Sequence, residues 1–76
     1  MEKLVKYIIE NLVENVDDIK ITSEEDGNLT IIHVSVNPSD VGRVIGKGGK
    51  IASSIRTIVK SVSNKDGKRY IVKIDN

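Results

Sequence analysis

Val41-Gly42-Arg43-Val44-Ile45-Gly46-Lys47-Gly48-Gly49-Lys50-Ile51-Ala52 is the stretch that decides how this chain folds. Two apolar runs at helical spacing are broken by four residues, Gly46 to Gly49, of which only Lys47 carries a side chain. Such a break reverses the chain sharply and leaves its peptide groups bare, so that an anion can approach them closely. The surrounding charge has one sign. From Val41 to Lys65 there is no acid, and Arg43, Lys47, Lys50, Arg56, Lys60 and Lys65 supply half of the chain's 12 cations. Residues 1–40 lean the other way, with Lys3, Lys6 and Lys20 as their only cations among many acids. A net charge of +1 would by itself argue against a nucleic-acid partner. Its segregation around a bare loop argues for one, with a phosphate chain as the anion.

Working outward, Val41, Val44 and Ile45 form the apolar stripe of a short helix. Asn37 is placed to cap it, Pro38 to occupy its first turn and Asp40 to sit at its positive end. A second helix opens near Lys50, with Ile51, Ala52, Ile55, Ile58, Val59 and Val62 inward and Ser53, Ser54, Arg56, Thr57 and Lys60 outward. Ser63 to Gly67 reads as a loop. Upstream, Leu4, Val5, Ile8, Ile9, Leu12, Val13 and Val16 recur on one face of a helix covering residues 2–16. Two alternating segments around Ile19-Ile21 and Ile32-Val34-Val36 flank Glu25-Asp26-Gly27-Asn28, a hairpin signal with Asp26-Gly27 at the turn. In that register Glu25 pairs with Asn28, Ile21 lies opposite Ile32 and Ile19 opposite Val34, all four apolar residues on one face. The chain closes on a strand from Arg69 to Asp75, with Tyr70, Val72 and Ile74 toward the core.

The expected order is helix, strand, strand, helix, helix, strand. The connection between the last two strands is long enough for a crossover, so they can lie parallel. The expected fold is therefore α+β: one domain over residues 1–76, with a three-stranded mixed sheet and three helices on one face.

Several function classes lack their residues. A nucleotide P-loop needs G-x-x-x-x-G-K-[ST] after a strand; the spacing from Gly42 to Gly46 is one residue short and Gly48 stands where the hydroxyl belongs. A dinucleotide fingerprint is absent too. There is no Cys, and His33 is the one histidine, so neither a thiolate nor a histidine metal site is expected. Ser39, Ser53 and Ser54 have no His–Asp constellation for nucleophilic catalysis. Nothing suggests an enzyme, a cofactor or a small-molecule substrate. The N-terminus begins directly with helical periodicity and no run is long enough to span a bilayer, which with the lack of Cys suits a cytoplasmic protein. Tyr7 and Tyr70 are the only aromatics, so base stacking of the RNA-recognition-motif or OB-fold kind has little to run on.

Val44-Ile45-Gly46-Lys47-Gly48-Gly49-Lys50 closely resembles the I-G-x-x-G signature of KH domains, whose loop clamps the backbone of about four nucleotides. The element order matches the type II, bacterial form of that fold. The wider stretch from Gly42 to Val59, with the small residue Ala52 where many KH domains have an aliphatic one, is similar to the short single-KH bacterial proteins of the KhpA type. This resemblance implies binding of single-stranded RNA in a groove between the loop-flanking helices and the last strand. Gly46, Lys47, Gly48 and Gly49 would form the clamp, Arg43 and Lys50 would add attraction, and Ile45, Ile51 and Ile71 would lie near an aliphatic floor. Ser63 to Gly67, Lys68 and Arg69 would form a variable rim. It also implies a homodimer, or a heterodimer with a larger Jag-type KH protein, and roles in RNA chaperoning and cell shape. The outward short side chains Ser53, Ser54, Thr57 and Ser61 offer a contact surface. The rival reading is a protein-interaction module on a KH scaffold, with RNA contact incidental.

Overall fold

A computed structural model describes residues 1–75, with Asp66 described by its backbone. The order is α1 (Glu2–Glu10), β1 (Lys20–Asp26), β2 (Leu29–Ser35), α2 (Val41–Ile45), α3 (Lys50–Asp66) and β3 (Arg69–Asp75), with 3₁₀ turns at Val16–Asp18, Pro38–Asp40 and Lys47–Gly49. The sheet runs β1-β2-β3, antiparallel between the first two strands and parallel between the last two. This is the mixed three-stranded αββααβ arrangement expected of a type II KH fold.

The core lies between the sheet and the helices and is aliphatic throughout. Ile9, Ile32 and Ile55 are its largest fully buried side chains; Val5, Val34, Val44, Val59 and Val72 pack among them. Each such residue contributes about 1.5–3 kcal/mol by leaving water, which matters in a domain of this size.

Three boundaries differ from those read from the sequence. Helix α1 stops at Glu10 instead of residue 16. The backbone N–H groups of Glu14 and Asn15 donate instead to the Asp40 carboxylate, at 3.2 and 3.0 Å. That carboxylate is fully buried, and a buried anion left without donors is far more costly than a shortened helix. Val16 is consequently exposed.

The hairpin is shifted by two residues. Asp26 pairs with Leu29, which places Gly27-Asn28 at the turn and sets Ile21 opposite Val34. Gly27 alone there takes a positive φ (+63°), the pattern of a turn with glycine first. An Asp26-Gly27 turn of the commonest hairpin type would have forced Asp26 into the left-handed region. A two-residue slip preserves which face each side chain occupies, so the core face is the expected one.

Helix α3 runs on through Ser63 to Asp66, and Gly67 ends it at φ +71°, donating its N–H to Ser63 O at 3.1 Å. Its buried line is Ala52, Ile55, Val59 and Ser63; Ile58 and Val62, expected inward, are 43% and 37% exposed. A three-stranded sheet with two companion helices covers only a narrow arc of α3.

The cap read from the sequence serves the 3₁₀ turn that leads into α2: Asn37 Oδ1 accepts from Ser39 N at 2.9 Å and Pro38 sits in that turn. Helix α2 itself follows Asp40, whose carboxylate caps no α2 N–H and is taken up by Glu14 and Asn15. Among the described residues, no helix is long and apolar enough to cross a membrane.

Candidate nucleic-acid interface

Helix α2 ends at Gly46, and the chain reverses through Gly49 into α3. Three successive requirements make this turn glycine-dependent. Gly46 adopts φ 77°, ψ 169°, a region open essentially to glycine alone. Gly48 and Gly49 lie at φ 65° and 75°. Lys47, between them, needs no such conformation and is exposed. The turn is held by Gly46 N donating to Gly42 O (2.8 Å) and Gly49 N to Gly46 O (3.1 Å).

The lack of a Cβ at Gly46 has a second use. Ile51 packs directly on that backbone: a Cβ built at Gly46 would overlap Ile51 Cγ1 and stand 2.8 Å from its Cβ and 2.9 Å from its N. Around Gly48 and Gly49 the space is open. The loop thus has a fixed inner side against Ile51 and a bare outer side. Gly49 caps α3 without a side chain, so the positive end of a 17-residue helix lies beside Lys47 and Lys50 with no side chain over it.

The expected residues divide into three groups. Gly46, Lys47, Gly48, Gly49, Lys50 and Ile51 are brought together at the α2–α3 turn, with Ile45 half-buried just before it. Arg43 is turned to a different task. Its guanidinium donates to Asp40 Oδ1 at 3.0 Å and to Glu14 Oε1 at 2.9 Å, so two carboxylates already occupy its charge. Ile71 lies well along β3, level with Ile31 and 41% exposed.

Ile71 nevertheless lines a second feature. A cavity of about 330 Å³ opens between α3 and the edge strand β3, with Val59, Val72 and Tyr70 among its walls and Arg56, Lys60, Lys68 and Arg69 around it. Arg56 Nε donates to Val72 O at 3.3 Å, covering an outward carbonyl of the edge strand. Lys68 and Arg69 are on the expected rim. Arg56, Lys60 and Asn64 recur every four residues and so share one face of α3. That spacing was visible in the sequence, but which element the face meets was not. Tyr70 is half-buried against the core.

Asp40 positions the loop from behind. Its carboxyl is held below the ordinary range chiefly by the Asn15 side-chain amide; burial opposes this, and the Glu14 and Asn15 N–H groups and Arg43 add to the lowering. It ties the segment after α1 to the start of α2, which leads directly into the loop. Among the described residues, no group of three or more His, Cys, Asp or Glu could hold a metal ion.

Comparison with known proteins agrees with this geometry. A family model described as KhpA/KhpB, KH domain, matches residues 2–74. A protein named RNA-binding protein KhpA from Caldanaerobacter subterraneus is 45% identical over 74 residues, covering 97% of this chain and 99% of its own length. Proteins of the same name from Listeria monocytogenes and Aquifex aeolicus are 42% and 35% identical, covering 97% and 94% of their own lengths and 97% of this chain. The crystal structure of an Aquifex aeolicus Era variant bound to GDP and aluminium fluoride superposes with a TM-score of 0.65 at 16% identity, over 96% of this chain and 28% of Era. At that identity the likeness concerns the fold alone.

Proposed function

The chain belongs to the KhpA/KhpB KH-domain family, and from that premise we propose that it is a non-catalytic, cytoplasmic binder of single-stranded RNA. The observation that carries the reading is the loop: a bare Gly46–Gly49 backbone, one exposed lysine at its tip and, behind it, the start of α3 with no side-chain cap. A phosphodiester chain presents the anionic oxygens that such a surface suits. The α3–β3 cavity extends the site, its apolar walls suited to unstacked bases and its cations to phosphates. Lys47 and Lys50 act at the loop, Lys60 along the groove. Arg43, being paired, acts through the fold.

The experiment is fluorescence anisotropy with a short single-stranded RNA, comparing the natural chain with Lys47→Asp/Gly48→Asp and with Lys60→Glu. The loop variant should lose binding and the groove variant should weaken it about tenfold, with both chains still folded. Gly48→Asp sits at a positive φ and should itself cost about 1 kcal/mol, so melts accompany the titrations. Unchanged affinity in a folded loop variant would refute the assignment.

A four-nucleotide groove binds weakly, and pairing two grooves multiplies affinity. The exposed Ile58 and Val62 on α3, beside Ser54 and Ser61, suit a contact with a second KH unit, whether another copy or a larger Jag-type KH protein. The same stripe is the observation that favours a protein-contact role, here as an addition to RNA binding. Reversal of charge at the loop should leave that association intact. Chaperone activity and a part in cell shape would follow from such a paired RNA binder.

A further inference from the structure

The cavity between α3 and β3 is lined mainly by hydrogen-bond donors. Arg56, Lys60, Lys68 and Arg69 stand around it, and among the described residues no Asp or Glu does. Besides Tyr70, the other polar side chains on its wall are Ser63 and Asn64, and the Ser63 hydroxyl is turned back to donate to Lys60 O at 2.9 Å. The open edge of a strand ordinarily offers its carbonyls as acceptors. Here Arg56 Nε donates to Val72 O at 3.3 Å, so that acceptor is already engaged. The same bond ties the planar guanidinium to the strand. Its end-on fork, Nη1 and Nη2, has no hydrogen-bond or ion-pair partner among the described residues.

We infer that Arg56 reads the edge of a base held in this cavity, and that the base it selects is guanine. Guanine presents two acceptors side by side, O6 and N7, which match the parallel N–H groups of a guanidinium fork. Adenine sets an amino group beside N7, and cytosine sets one beside N3, so each brings a donor against a donor. With Val72 O engaged by Arg56, that amino group does not find the strand carbonyl that would accept from it. A polar group left unpaired in a closed site is costly, and such mismatches are what discriminate between ligands of similar shape. Uracil offers a single acceptor, O4, beside its own N3–H. The apolar walls Val59 and Val72 give contact area to any base and so do not choose among them.

A volume of about 330 Å³ is at the small end of ligand sites, which suits one base rather than several. The inference rests on the RNA-binding reading of this site and deepens it. Contacts to phosphate hold the chain whatever its sequence, and contacts to a base edge select it. Lys47 and the glycine loop belong to the first kind and Arg56 to the second, so Arg56 determines specificity at one position. Its effect is about tenfold, toward the lower end of what a bidentate arginine–guanine pair gives, because Arg56 lies on an exposed face of α3.

The test uses ¹⁵N-labelled chain and four-nucleotide RNAs, uridine throughout except at one position, which is walked along the RNA as guanine, adenine or cytosine. Dissociation constants are read from amide shifts. At one position guanine should bind about tenfold tighter than adenine or cytosine. Inosine, which keeps O6 and N7, should retain that preference, and 7-deazaguanine, which lacks the N7 acceptor, should lose most of it. Arg56→Lys keeps the charge but not the fork. It should bind the all-uridine RNA within about threefold of the natural chain while bringing guanine and adenine within about twofold of each other. The preference is a ratio within one chain, so a change in stability does not imitate its loss. Equal binding of all the RNAs, a guanine preference that survives Arg56→Lys, or one undiminished by 7-deazaguanine or lost with inosine would each overturn the inference and leave RNA binding standing. Binding of none of them would overturn the RNA reading and this inference with it.

Discussion

Replacing Gly46 by alanine is the sharpest probe of the loop, because two costs meet there. The first is conformational: φ 77° with ψ 169° is a region that a residue with a Cβ enters at roughly 1–3 kcal/mol. The second is steric. The added carbon would lie 2.8 Å from Ile51 Cβ and 2.9 Å from Ile51 N. The latter atom belongs to the backbone of α3's first turn, so no rotamer change relieves it, and overpacking of this kind costs about 1–3 kcal/mol. The sum, about 2–6 kcal/mol, compares with roughly 4–11 kcal/mol available to 76 residues. A drop in melting temperature of at least about 8 °C is expected, at about 4–8 °C per kcal/mol for a domain of this size. Gly48→Ala and Gly49→Ala meet open space and carry only the left-handed penalty of about 1–2 kcal/mol. Gly42 lies within α2 with open space around it and no positive φ. Alanine there should stabilise by about 0.5 kcal/mol through helix propensity. Thermal and urea melts followed by circular dichroism read the whole series. If Gly46→Ala melted within 2 °C of Gly49→Ala, the packing of Ile51 on Gly46 would not be the constraint described.

RNA binding should weaken with salt at a slope of log affinity against log concentration near roughly −2, from about three neutralised phosphates with the single-strand coefficient; a slope near zero would remove phosphate contact as the driving term. Ile55→Ala, at a site 2% exposed, should cost about 2–5 kcal/mol, whereas Ile58→Ala, at one 43% exposed, should cost less than about 1 kcal/mol; equal losses would contradict the orientation of α3. Because the folded state depresses the Asp40 carboxyl, its stabilisation is fully present above the ordinary value of 3.8 and is lost as pH falls through the lower folded value. Asp40→Asn should therefore melt lower than the natural chain at pH 7, and the gap should narrow as pH falls below 3.8. A gap independent of pH would show that the Asp40 charge does not support the fold.

The local grammar of this chain is written in short-range terms, and those parts were legible from residues alone. Helical and alternating periodicities located all six elements, Asn37-Pro38-Ser39-Asp40 announced the start of α2, and Gly46 to Gly49 marked the turn into α3 with its surrounding cations. Each depends on a residue and its neighbours within a turn or two. What tertiary structure decided depends on partners far along the chain. Asp40 draws the N–H groups of Glu14 and Asn15, from 26 and 25 residues away, and so ends α1 early. The same carboxylate, with Glu14, takes Arg43 out of the free cationic surface. The hairpin slipped by two residues because both registers bury the same face, and only the backbone cost at the turn separates them. Ile58 and Val62 carry the periodicity of a buried face, yet burial needs a neighbour on that side, and a sheet of three strands does not reach it. The groove has the same origin. Arg56 and Lys60 meet Lys68 and Arg69 because the crossover lays α3 along the edge of β3. Residue type and spacing set what each segment could become; long-range satisfaction of charge and of backbone polar groups set where it stopped and what it faced.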